Sequence, residues 1–291
     1  MRKELKMKFK GIAPILLGSL MLTYVSCSTE SSVEENLTST EVISSTELKY
    51  SDETEMVSEE LMAIAEDVYT ADEIGSTSKM NYASGYMPDC VVVSVVLTQN
   101  TKEVVLDFGE GCELSTGNTV SGTVNLSYSL DLEAASNTIE MTLDGFTFNE
   151  VAIDGEAQIL RVRSNENGNP QGTSNGFFEA TWPSGETASF TGTRTREWIE
   201  GYGSGFWGDN VFLITGKRTY IGIAGNEFVK EVTTPLRREL SCRFIVSGVL
   251  EISRLGNSVS LDFGDGSCDA KGTLTYSDGA EEEVVLRRFR N

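Results

Sequence analysis

The chain has 291 residues, with 23 Lys+Arg against 44 Asp+Glu, a net charge of −21 and no histidine. Without imidazole there is no Ser-His-Asp triad, no Cys-His pair and no His-ligated zinc. The acidic balance argues against a nucleic-acid partner, since phosphate recognition needs a cationic footprint. Twenty-eight Gly and only five Pro suit a turn-rich β protein.

The N-terminus reads as an address. Arg2, Lys3, Lys6, Lys8 and Lys10 precede an apolar run over residues 11–25, then Ser26 and Cys27. That run is short of the roughly 20 residues a membrane-spanning helix needs. The segment resembles a bacterial lipoprotein signal, cut before Cys27, whose sulfur and new amino group then carry palmitate-type acyl chains. Tyr24 stands where such signals usually carry Leu, and it fits an ordinary signal-peptidase site worse still. The expected processing is removal of residues 1–26 and membrane attachment through the lipid on Cys27, because more than one acyl chain anchors stably.

After that cut the charge is unevenly spread. Residues 27–160 hold 26 acids and 3 bases, a net of −23, whereas residues 161–291 hold 17 acids and 15 bases, a net of −2. Residues 27–50, rich in Ser, Thr and Glu, read as an acidic flexible and disordered tether. Glu30, Glu34 and Glu35 just after Cys27 resemble the export signal that sends some Bacteroidetes lipoproteins to the outer face of the outer membrane. Residues 51–75 follow as a short amphipathic helix: Val57, Leu61, Ile64, Ala65 and Val68 share one face of a 3.6-residue period. Ser51 is the expected N-cap and Gly75 the expected stop.

From residue 90 the pattern changes to period 2. Strands are expected over Cys90–Leu97, Lys102–Phe108, Val120–Leu132, Ile139–Phe148, Ile159–Val162, Phe177–Trp182, Val211–Ile214, Phe244–Ile252, Val259–Phe263, Gly272–Tyr276 and Glu283–Leu286. The predicted fold is all-β, an antiparallel sandwich or barrel-like body over residues 85–291.

Two units within it match, at 90–128 and 242–286. Each has a cysteine, then Leu-Asp-Phe-Gly-acid-Gly, then a second cysteine, then Gly-Thr (Leu106–Gly111, Cys112 and Gly122 in one; Leu261–Gly266, Cys268 and Gly272 in the other). A hairpin turn at 99–102 sets Cys90 near Cys112, and one at 254–257 sets Cys242 near Cys268. The expected disulfides are therefore Cys90–Cys112 and Cys242–Cys268, which an exported compartment permits. Leu and Phe of each repeat are expected inside, with Asp and Gly in the turn. The sharper reading is a Ca²⁺ site at Asp262, Asp265 and Asp269, oxygen-rich beside two glycines; the spacing is not that of an EF-hand, and no metal or other cofactor is the primary expectation.

With these paired segments, Thr193–Ile199, Asp209–Thr219 and Thr233–Val246, the chain resembles the uncharacterised lipoproteins common in Bacteroidetes, especially Flavobacteria-like genomes. The resemblance implies an outer-membrane lipoprotein with a β body, surface-exposed rather than periplasmic, and no established chemistry.

The distinctive surface candidate is 182–212, which holds all three tryptophans. Trp198, Tyr202, Phe206 and Trp207, interleaved with glycines, make a candidate platform for a glycan ring or an envelope-protein partner; the alternative is that the rings fill the core. The expected function is a non-enzymatic surface binding module. A structural or assembly protein of the outer membrane is the second reading, and a carboxylate-dependent hydrolase the third, because acids are plentiful but no pair stands out.

Overall fold

The computed structural model describes residues 42–78 and 84–286. These lie within one compact unit, Leu37–Asn291. The expected signal segment, Cys27 and residues 28–41 of the expected tether fall outside the described residues.

One helix, α1 (Ser45–Ser78), precedes fourteen strands. They are β1 (Val92–Leu97), β2 (Thr101–Asp107), β3 (Cys112–Glu113), β4 (Thr119–Ser129), β5 (Ser136–Phe148), β6 (Val151–Val162) and β7 (Gln171–Thr181). Then come β8 (Thr187–Glu200), β9 (Val211–Ile221), β10 (Glu227–Glu239), β11 (Ile245–Arg254), β12 (Asn257–Asp265), β13 (Lys271–Tyr276) and β14 (Glu281–Val285). They form a single antiparallel sheet in simple sequence order, with β3 attached beside β4. The sheet does not close, and β1 and β14 are its two ends. This is the all-β antiparallel body expected from the period-2 pattern.

β8 and β10 are both wholly absent from the strands expected from sequence, for a physical reason. Their inward positions include Arg194, Arg196, Lys230 and Arg238, all buried. An inward cation breaks the apolar alternation by which a strand is recognised.

The helix differs more from expectation. It begins at Ser45, inside the segment read as tether, where the Glu47 amide donates to Ser44 Oγ at 3.2 Å. Ser51 lies inside the helix rather than at its cap, and the helix runs through Gly75. It packs on the sheet through more than one apolar stripe. Val57, Leu61, Ile64, Ala65 and Tyr69 are buried, and so are Glu47, Glu53, Glu59, Glu60, Glu66 and Glu73. The helix carries ten acids and one base, and the sheet's inner face meets them with cations, hydroxyls and amides.

The two repeats superpose in register. Leu106 pairs with Val93 and Val124, and Leu261 pairs with Leu250 and Leu274. Leu106, Phe108, Leu261 and Phe263 are buried. In both copies the Asp of the motif accepts a hydrogen bond from the amide two residues on, at 2.8 Å (Gly109 to Asp107, Gly264 to Asp262). In the first copy this Asx turn ends β2 at Asp107, whereas in the second it falls inside β12, at the register shift between Asp262 and Asp265. Both disulfides are present, Cys90–Cys112 and Cys242–Cys268. In the first copy the hairpin centre is offset from the expected one, with Leu97 opposite Lys102. The turn after Asp107 then returns Cys112 to Cys90.

Candidate functional site

The glycine-rich aromatic segment connects β8 to β9. Its rings divide into two sets. Trp198 is 4% exposed. Its indole Nε1 donates to the Glu200 carbonyl at 2.7 Å, and its ring packs on Phe212 with centroids 5.0 Å apart. Trp198 therefore belongs to the core and presents no ring face to solvent. Trp207 is half-buried, held by its amide on the Ser84 carbonyl at 3.0 Å and by its ring against Tyr86. Tyr202 and Phe206 are the exposed rings, at 38% and 57%.

The loop holds those two rings in place. Tyr202 stands edge-on to Trp198 with centroids 5.1 Å apart, and its hydroxyl donates to Glu73 of the helix at 2.9 Å. Burial and the adjacent Glu73 charge push its phenol above the ordinary tyrosine value. Ser204 Oγ donates to Asp209 at 2.9 Å and accepts from the Phe206 amide at 3.1 Å. Gly201 sits at φ +85°, and a Cβ there would lie 2.6 Å from the Asp209 carbonyl. At Gly208 a Cβ would meet the Phe206 ring at 2.5 Å. The tip of the ring thus lies against that glycine. These are the steric reasons for two of the glycines.

Beneath this loop lies the feature that sequence reading missed, a ladder of ion pairs between helix and sheet. At its centre Glu55 meets three cations: Arg194 at 2.8 Å, Lys230 at 2.9 Å and Arg218 at 3.6 Å. Burial raises the Glu55 carboxyl, but Arg194, Lys230 and Arg218 outweigh it and hold the group well below the ordinary carboxylate range. Burial in turn lowers Lys230, and it lowers Arg218 to about 10. Further along, Glu66 meets Arg196 at 3.3 Å, Glu73 meets Arg161 at 2.9 Å, and Asp72 meets Lys102 at 2.6 Å. Glu53 accepts from the Trp182 indole at 2.7 Å. Glu47 accepts from the Ala224 and Ile223 amides at 2.9 and 3.2 Å, which caps the β9–β10 turn. A signal for this existed in the sequence: the net of −23 over residues 27–160, and Arg194 and Arg196 two apart on one strand face.

A cavity of about 40 Å³ lies between the helix and β9–β12, with apolar walls from Met56, Leu236, Phe244 and Phe263. Glu59 lines it, 8% exposed, with Arg196 Nε 3.5 Å from its carboxylate. This volume suits a water-sized molecule.

The three aspartates of the second repeat line one open surface depression together with Glu283. Asp262 accepts from the Gly264 amide, Asp265 from the Ser267 amide and hydroxyl, and Asp269 from the Lys271 amide at 3.0 Å. Each carboxylate closes its own turn. Among the described residues no group of three or more Asp, Glu, Cys or His is arranged to hold a metal. No described helix is long and apolar enough to cross a membrane.

No protein-family model matches the chain, and neither a curated protein nor a solved structure matches it.

Proposed function

We propose that the chain is a lipid-anchored lipoprotein of the bacterial outer membrane whose β body is a non-enzymatic surface binding module, with the Tyr202–Phe206 loop as its contact point. The observation that carries this reading is the pair of exposed rings on a backbone that glycine sterics and the Ser204–Asp209 bond hold in one conformation. Rigid aromatic rings contribute contact area at small entropy cost. On the helix, Glu53, Glu55 and Glu73 are held by an indole and by cations, as parts of the packing between helix and sheet. The ligand class that fits a flat ring beside polar edges is a glycan; an envelope protein is the alternative partner. The N-terminal signal pattern supports anchoring at Cys27, and Glu30, Glu34 and Glu35 support the cell surface.

The test is calorimetric titration with a panel of soluble oligosaccharides. Phe206→Ala is expected to weaken binding by about tenfold or more while leaving thermal stability nearly unchanged. Equal affinity for Phe206→Ala and the parent would remove the loop from the site. Acyl labelling lost on Cys27→Ala, together with digestion of the β body on intact cells, checks anchor and exposure. Digestion only after lysis would place it in the periplasm.

A further inference from the structure

The two ends of the sheet are unlike. β14 ends the sheet with Glu281, Glu282 and Glu283, all exposed. Charge along an edge discourages pairing with another strand. β1 ends it with Val-Val-Ser-Val-Val-Leu, uncharged and exposed at every position. Among the described residues nothing pairs with the outer side of β1.

The internal repeat shows what such a strand has beside it elsewhere in this chain. β1 stands to β2 as β11 stands to β12: Val93 faces Leu106, and Leu250 faces Leu261. In the second copy β10 pairs with the other side of β11. Leu250 and Ile252 there are 2% and 0% exposed, whereas their counterparts Val93 and Val95 are 51% and 47% exposed. The first copy therefore lacks the strand that completes the second.

We propose that this place is taken by β1 of a second copy of the chain, running antiparallel about a two-fold axis at Ser94. The strand is its own complement. Pairing about Ser94 sets Val92 opposite Val96 and Val93 opposite Val95, with no charge on either side. The backbone phase agrees. The Thr98 amide donates to the Thr101 carbonyl at 3.0 Å, so even-numbered residues of β1 turn their polar groups toward β2. Odd-numbered residues turn theirs outward. Val93 of one copy and Val95 of the other then exchange both backbone hydrogen bonds, about four in all across the axis, and Ser94 meets Ser94 as a non-hydrogen-bonded pair. The inner-face valines of the two copies become neighbours, as Leu250 and Val232 are in the second repeat.

Sedimentation of the purified full chain tests this, with Ser94→Cys as an independent probe. The expected result is a reversible dimer whose dissociation constant rises by about tenfold or more in Val93→Lys/Val95→Lys, since lysines then face each other across the edge. Ser94→Cys is expected to cross-link on oxidation through its own position, because paired Cα atoms about 4.5 Å apart fall in the disulfide range. The exposed turn variant Ser277→Cys serves as the control for random collision. A monomer at all concentrations, a dimer indifferent to both lysines, or Ser94→Cys linking no faster than Ser277→Cys would each overturn the proposal. A monomer whose β1 amides resist hydrogen exchange would assign the edge to another segment of the same chain and equally overturn it.

Discussion

Glu55 is the point at which helix and sheet depend most on each other, and Glu55→Gln is the perturbation that measures it. The substitution keeps the shape and removes the charge. Arg194, Lys230 and Arg218, whose side chains are 0%, 2% and 4% exposed, then share no carboxylate at that point. Removing one partner of a buried ion pair costs about 3–5 kcal/mol, mostly because the remaining charge stays desolvated. Three cations raise the penalty, while the 17% exposure of Glu55 lowers it, so we take about 4 kcal/mol. For a body of this size that is a fall in midpoint of about 8–16 °C. The assay is thermal and urea unfolding with both disulfides intact, followed by tryptophan fluorescence and far-ultraviolet dichroism. The loss should change little between low and high salt, because buried pairs are weakly screened. Lys230→Met in the Glu55→Gln background should restore part of the loss, since one of the stranded charges is gone. A cost below about 1 kcal/mol, the value of an exposed pair, or the absence of any rescue would refute the claim that the ladder is a desolvated core.

Three further expectations follow from other parts of the molecule. Asp67, which accepts from Ser84 Oγ, has its carboxyl raised by burial from 3.8 to about 6. Between those values the folded state holds a proton that the unfolded state has released, so stability falls as pH rises through that window, by about 2–3 kcal/mol. Asp67→Asn should flatten this dependence in unfolding curves taken across pH 4–7, which also separates it from Glu55, whose lowered carboxyl contributes stability that is lost only on strong acidification. Gly122 and Gly109 both have positive φ, but a Cβ on Gly122 would lie 2.2 Å from the Gly145 carbonyl while one on Gly109 meets nothing within 4 Å. Gly109→Ala should cost about 1 kcal/mol and Gly122→Ala clearly more, read as the difference in denaturation midpoint. Replacing Cys242 and Cys268 together by Ala should cost about 3 kcal/mol from the loop that the disulfide closes, in the same assay.

The sequence by itself determined the local chemistry of this protein. The alternation of apolar and polar residues from residue 90 onward determined strands, because a half-buried sheet demands that period. The repeated Leu-Asp-Phe-Gly determined two equivalent pairs of buried Leu and Phe with an Asx turn beside them, and the cysteine spacing determined their disulfides, since a hairpin can bring only near neighbours together. Tyr202 and Phe206 were legible as candidates through the glycines around them. Trp198 could not be separated from them, because exposure depends on whether Phe212 and Tyr202 close over its ring. The tertiary structure alone decided the fate of the charges. Glu55, Glu66 and Glu73 look like a solvated helix face when read locally. The cations that take them out of water stand from 88 to 175 residues further along the chain, on strands where inward Arg and Lys disguise the period. A carboxylate becomes a core residue only when its counter-charge is brought to it, and bringing it is the work of the whole sheet.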